Sequence, residues 1–291
     1  MKTFPPSELI INEDGTIFHL HLAPEQLADK IILCGDQDRV TTIAKHFDKI
    51  EHEVQSREFH TITGIYKTKR ISVVSTGIGC DNCDIVINEL DALKNIDFKS
   101  RQQKEKLTSL EIVRIGTCGG LQEFTPTGTF ICSETSIGFD GLLNFYEGRD
   151  NVCDLKMEEA FKAHMNWHPR LGSPYAIHNS SELLSRIYQP EKGMVKGITI
   201  ACGGFYGPQG RELRIPLADP QQNKKIESFE YEGKRITNFE MESSAIAGLS
   251  ALLGHKALTV CMVIANRKAK EANTGYKNQI DDLITIVLEK I

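Results

Sequence analysis

Residues 30–47 read Lys30-Ile31-Ile32-Leu33-Cys34-Gly35-Asp36-Gln37-Asp38-Arg39-Val40-Thr41-Thr42-Ile43-Ala44-Lys45-His46-Phe47. A short apolar run ends at a Gly-Asp turn signal, as a buried strand does. Val40, Ile43, Ala44 and Phe47 then fall at i, i+3, i+4 and i+7, which places them on one face of a helix over 38–47. Strand, tight turn and helix in immediate succession form the building unit of an α/β fold.

The unit recurs along the chain. Ile71 to Thr76 reads as a strand ending in Gly77-Ile78-Gly79, and Val86, Leu90 and Leu93 mark the helix behind it. Glu111 to Ile115 is a third strand, running into Gly116-Thr117-Cys118-Gly119-Gly120. In the second half, Met194 to Ala201 leads into the glycine-rich stretch 203–210, and a helix is expected from about Glu240 to Leu253, stopped by Gly254. Ala257 to Ile264 is near-continuously apolar, as suits a strand covered on both faces. Ile280, Leu283, Ile284, Val287, Leu288 and Ile291 give an amphipathic terminal helix. The pattern predicts a three-layer α/β/α sandwich around a mixed, mostly parallel sheet, in a single domain spanning residues 1–291. Ligands of such sheets bind beyond the carboxyl ends of the strands, where these glycine stretches fall. Lys94 to Lys106, rich in Lys and Gln, reads as a solvated insertion.

Composition narrows the function classes. With 34 Lys and Arg against 39 Asp and Glu, the net charge is −5, the wrong sign for a general nucleic-acid or membrane-surface binder. A few arginines in a cleft would still suffice for a small anion. The apolar run from Ala257 to Ala265 is far too short to cross a bilayer, and the first residues carry no signal-type apolar stretch. Eight scattered cysteines read as free thiols in a reducing compartment, which places the chain in the cytoplasm.

Four arginines, Arg39, Arg57, Arg114 and Arg211, lie in or beside the glycine stretches. Any one alone is more simply a surface ion pair. Arg39 and Arg114 on successive glycine-bearing strand ends, where backbone N–H groups can also face an anion, favour a phosphate site. Gly77 to Asn82 supplies only G-x-G-x-x-N, short of a dinucleotide fingerprint, and the P-loop pattern is absent. The Cys80/Cys83 pair and the His164/His168 pair lack the companions of a zinc site, and Cys118 reads as a buried structural thiol. In Asn238-Phe239-Glu240-Met241-Glu242-Ser243, the two carboxylates cannot share a helix face and should have different tasks, unless they are only dipole-complementing residues of a first turn.

Eight stretches in order resemble the nucleoside phosphorylases of the three-layer α/β family, and within it those that cleave uridine: Phe18-His19-Leu20, Gly35-Asp36-Gln37-Asp38-Arg39, Arg57-Glu58-Phe59, Ser75-Thr76-Gly77-Ile78-Gly79, Arg114-Ile115-Gly116-Thr117, Phe205 to Arg211, Phe239 to Ser243 and Val263 to Arg267. The resemblance implies phosphorolysis of uridine, with deoxyuridine a further candidate, to uracil and ribose 1-phosphate. It implies a phosphate site of Gly35, Arg39, Arg114 and Thr117, completed by Arg57 of a neighbouring subunit. Ribose would be held by Met241 and Glu242 with His19 from the neighbour. The base would meet Phe205, Gln209, Arg211 and Ile264 with Arg267 behind, and Arg114, Glu242 and Arg211 would carry catalysis.

No metal or organic cofactor is implied, phosphate being a co-substrate. Exchange of His19 and Arg57 implies at least a homodimer, with a hexamer as the larger assembly. A purine nucleoside phosphorylase, a nucleosidase of the same fold and a non-catalytic nucleoside binder are the alternatives. The chain departs from the family pattern at Gln37, where proline is usual, and at Cys118, where threonine is frequent. It departs also at Cys80-Asp81-Asn82, in a turn that helps some relatives hold a monovalent cation at the subunit interface. The segments Lys94 to Lys106 and Phe139 to Ile177 are longer than in compact bacterial members.

Overall fold

The computed structural model describes residues 2–269, 271–273, 275–276 and 279–291. In the first half, Lys30–Cys34 (β1) leads into Gln37–Ala44 (α1), then into Lys49–Ser56 (β2), Phe59–Tyr66 (β3) and Lys69–Ser75 (β4). Cys80–Asn95 (α2) precedes the short strands Ile96–Asp97 (β5) and Gln102–Gln103 (β6), and the long strand Glu111–Gly120 (β7). Phe130–Gly138 (β8), Leu155–Met165 (α3), Tyr175–His178 (β9), Ser181–Ile187 (α4) and Val195–Ala201 (β10) follow. Gln222–Ser228 (α5), Glu230–Tyr231 (β11), Lys234–Glu240 (β12), Ser243–Leu253 (α6), Lys256–Asn266 (β13), Glu271–Ala272 (β14) and Ile280–Lys290 (α7) complete the described elements.

The main sheet runs β11-β12-β10-β8-β13-β7-β1-β4-β3-β2. Its strands β4, β1, β7 and β13 are mutually parallel, as are β8, β10 and β12, and the two blocks meet antiparallel where β13 borders β8. The sheet is thus mixed, as expected. It also curls: Asn238 and Phe239 of β12 pair back onto Gly120 and Gly119 of β7. That contact closes β7, β13, β8, β10 and β12 into a ring and brings strand ends distant in sequence to one place.

Period-two alternation explains the layers. Ile31 and Leu33 of β1 and Ile112 of β7 face a core shared with α2 and α6, whereas Ile32 and Cys34 of β1 and Val113 and Ile115 of β7 face α1, α4 and α7. Truncating a buried leucine such as Leu33 to alanine would cost about 2–5 kcal/mol. A third core, with Phe161, Phe229 and Phe239, lies under α3 and α5. The segment Lys94 to Lys106, expected as a solvated insertion, instead pairs β5 with β6 and holds the N-terminal chain through the Phe4 N–H donating to the Arg101 carbonyl at 2.8 Å.

Candidate active site

A cavity of about 620 Å³ opens where β1, β4, β7, β12 and β13 end. It is lined by Gly35, Arg39, Arg114, Thr117, Phe205, Gln209, Arg211, Met241, Glu242 and Ile264, ten of the thirteen residues singled out from the sequence. Two turns form its floor. Asp36 caps α1 by accepting the Asp38 N–H at 3.0 Å, which sets Arg39 on the first turn of the helix with Nη1 on the Ile115 carbonyl at 3.3 Å. Gly35 lies so close to the second turn that an added Cβ would stand 3.2 Å from the Gly77 carbonyl oxygen.

The sequence places Glu240 in the first turn of a helix, but the chain does otherwise. Glu240 ends β12, and α6 begins only at Ser243. The reason is the Glu240 carboxylate. It accepts from the backbone N–H groups of Glu242 at 2.9 Å and Ser243 at 2.9 Å, and from the Ser243 hydroxyl at 2.6 Å. It therefore satisfies donors that open the helix and folds Met241 and Glu242 outward into the cavity. The Glu242 carboxylate accepts the Gly79 N–H at 2.8 Å, which joins the second glycine turn to the same structure.

Both carboxylates converge on Arg114. Arg114 is only 5% exposed, and its guanidinium hydrogen-bonds Glu242 and lies 3.2 Å from Glu240, each glutamate being 3% exposed. Burial opposes the arginine's charge, but Glu242, then Cys261 and Glu240, hold its pKa above the ordinary arginine value. Burial, joined by repulsion from Glu242, raises the Glu240 pKa against the pull of Arg114. Arg114 itself lies within β7, not at its end. The glycine-rich run 116–120 stays strand because β13 pairs along it and β12 adds its two bridges. On the facing strand the register slips between Val263 and Ala265, so Ile264 is the extra residue of a bulge that aims it at the cavity.

The opposite wall is a loop. The Gln209 side chain is buried and accepts from Arg211 Nη1, which also donates to the Phe205 carbonyl at 2.6 Å. The Arg211 guanidinium stacks 3.7 Å from the centre of the Phe205 ring, which is itself 49% exposed. Burial, then repulsion from Arg267, pushes the Arg211 pKa down to about 10, still charged at neutral pH. Arg267 stands behind this loop rather than on the cavity surface, with Nη1 on the Gly210 carbonyl at 3.3 Å.

His19 and Arg57 do not line this cavity. They share a neighbouring face: Arg57 lies over the Phe18 ring at 5.7 Å, and His19 Nδ1 is 2.6 Å from Glu89. Sequence reading missed Asp36, Gln37, Asp38, Glu58, Gly77, Ile78, Gly119, Phe239, Glu240 and Tyr276 as lining residues. Glu58 and Ile78 stood inside the recognised stretches and were legible by adjacency, whereas no sequence signal marks Tyr276. Cys118 also lines the cavity, and burial, then Cys261, raises its pKa well above that of a free thiol. All eight cysteines are free. His164 faces the Lys225 carbonyl at 2.8 Å and His168 accepts from the Arg170 N–H, so neither joins the cavity. Among the described residues no group of three or more His, Cys, Asp or Glu converges as a metal site, and no helix is long and apolar enough to cross a membrane.

Comparison with known proteins bears on this geometry. The family described as Phosphorylase superfamily matches residues 29–289. The uridine phosphorylase of Thermococcus kodakarensis is 29% identical over 93% of this chain and 85% of its own. A DeoD-type purine nucleoside phosphorylase of Oceanobacillus iheyensis is 27% identical over 94% of this chain and 98% of its own. The crystal structure of a Trypanosoma brucei nucleoside phosphorylase, described as showing uridine phosphorylase activity, superposes with a TM-score of 0.87 at 29% identity. It covers 97% of this chain and 98% of that one.

Proposed function

The chain belongs to the phosphorylase superfamily, in its nucleoside phosphorylase group, and from that premise we propose that it cleaves uridine with inorganic phosphate, giving uracil and ribose 1-phosphate. The observation that carries the choice of base is the Gln209–Arg211 pair on the loop wall, buried on one side and stacked on Phe205 on the other. Together these side chains offer donors and, at Gln209, an acceptor to one edge of a flat ring. A site of that kind rejects a base that leaves its buried polar groups unpaired.

Phosphate sits on Gly35, Arg39, Arg114 and Thr117, and Arg57 comes from a second subunit, with His19 of that subunit reaching the sugar. Support for the exchange is geometric: His19 and Arg57 lie together on a face outside their own cavity. The reaction breaks the bond between C1′ and the base nitrogen, whose electron pair leaves with the base, and forms a bond from C1′ to a phosphate oxygen. Glu242, fixed by Arg114 and the Gly79 N–H, holds ribose hydroxyls and favours the positive charge that develops on the sugar. Arg211 stabilises the departing uracil as an anion, with Arg267 adding positive charge from behind. The arginines place phosphate beneath C1′, a contribution of positioning and electrostatics. No metal or organic cofactor enters this account, and the chain acts as one domain in an assembly of at least two copies.

Uridine incubated with the protein tests the proposal: with phosphate, uracil and ribose 1-phosphate form in equal amounts, and without phosphate nothing is consumed. Cleavage to free ribose in the absence of phosphate would mean a nucleosidase, and binding without turnover would mean a nucleoside-binding protein.

A further inference from the structure

Gln37 opens α1 at the cavity, and its side-chain amide makes two hydrogen bonds. Its Nε2 donates to the Arg57 carbonyl at 2.9 Å, and its Oε1 accepts from Gln55 Nε2 at 2.8 Å. Its own carbonyl faces His60 Nδ1 at 3.4 Å, and His60 Nε2 is 2.9 Å from Glu53. Gln37 lines the cavity beside Gly35 and Arg39, while Arg57 and Glu58 form the tip of the β2–β3 hairpin. Arg57 sits at φ 56°, the left-handed conformation that Lys67 and Glu232 also take as first residues of their two-residue hairpin loops. Two hydrogen bonds hold successive carbonyls of this loop: Gln37 on that of Arg57, and the Ser75 hydroxyl on that of Glu58 at 2.8 Å.

We propose that Gln37 is a positioning residue that ties the phosphate turn of its own subunit to the hairpin tip lending Arg57 to the neighbouring subunit's phosphate site. The proposal rests on the reading of Arg57 as acting across a dimer. One side chain then spans two sites. It is anchored on the turn that carries Arg39 in one, and it fixes the backbone from which Arg57 reaches the other. Releasing the amide leaves Arg57 present but on a hairpin tip no longer tied to the turn, and phosphate affinity falls while the sugar and base contacts stay.

Steady-state kinetics of the full-length protein tests this. Gln37→Ala and Gln37→Met should each raise the phosphate KM about five- to tenfold, the worth of one or two net hydrogen bonds, with the uridine KM and the melting temperature unchanged. In an Arg57→Ala background, Gln37→Ala should add nothing, because the residue it positions is gone. An unchanged phosphate KM in the single variants, or a full additional loss in the double variant, overturns the proposal. A complementation experiment separates it from the reading beneath it. Dimers mixed from Arg57→Ala and Arg211→Ala chains contain one site with both arginines if Arg57 crosses the interface, so activity should return. Complementation together with additive Gln37 and Arg57 effects would defeat the role of Gln37 alone. Failure to complement would defeat the exchange and the proposal with it.

Discussion

The two walls of the cavity are built on opposite principles. The wall proposed for phosphate and sugar is made of strand ends and is closed: Arg114 lies against two buried carboxylates, and each carboxylate is held in turn by a backbone N–H group. The wall proposed for the base is a loop. Among the described residues Arg211 and Arg267 form no ion pair, and they rest on carbonyl oxygens and aromatic faces instead. The first wall has the rigidity that catalysis of a common step requires. The second can change its side chains with little effect on the core, which suits the part that chooses the base. The contrast fits a family whose members here, at similar identity, carry names for uridine and for purine nucleoside cleavage.

Substitutions should separate the walls. Removing the cation of the closed wall should do the most damage. Arg114→Met leaves Glu240 and Glu242 buried without their partner, and about 3–5 kcal/mol of stability should be lost together with about 10³-fold in kcat/KM. Thermal unfolding and kinetics check both, and an unchanged melting temperature would show that the pair is not the structural centre. On the loop wall, Arg211→Ala should lower kcat/KM for uridine about 10²-fold, with the phosphate KM and the melting temperature held. A parallel fall in phosphate affinity would mean that the walls are not independent.

A smaller effect is expected for Phe205→Ala, which removes the face on which Arg211 stacks. The uridine KM should rise about three- to tenfold, matching about 1 kcal/mol for an accessible cation–π contact, and a change smaller than the error would leave Arg211 held by Gln209 and the Phe205 carbonyl alone. The mildest test is chemical. Because burial raises the Cys118 thiol pKa, a maleimide should modify it only slowly in the native protein at neutral pH and rapidly after unfolding. Rapid native modification with loss of activity would show the closed wall to be open.

Much of this was legible locally. The strand, turn and helix that begin at Lys30 emerge from spacing alone, because their hydrophobic period and cap lie within a few residues of one another, although the helix expected to reach Phe47 stops at Ala44. The apolar run 257–264 announces β13 for the same reason. What escaped reading depends on pairing across the chain. Nothing in Glu240-Met241-Glu242 says that the first carboxylate will hold the turn while the second meets an arginine more than a hundred residues earlier. Gly116 to Gly120 read as a turn because glycine usually breaks a strand, yet neighbours on both sides supply its hydrogen bonds. The bulge at Ile264 is likewise invisible until β7 is set beside it. Tyr276 reaches the cavity from a loop without a pattern of its own.

The most direct test of the account compares kcat/KM for uridine and inosine at the same saturating phosphate. If Gln209, Arg211 and Phe205 read a pyrimidine edge, uridine should be preferred by about 10²-fold or more. Equal rates, or a preference for inosine, would contradict the assignment of the loop wall and make this chain a purine nucleoside phosphorylase with the same closed phosphate and sugar wall.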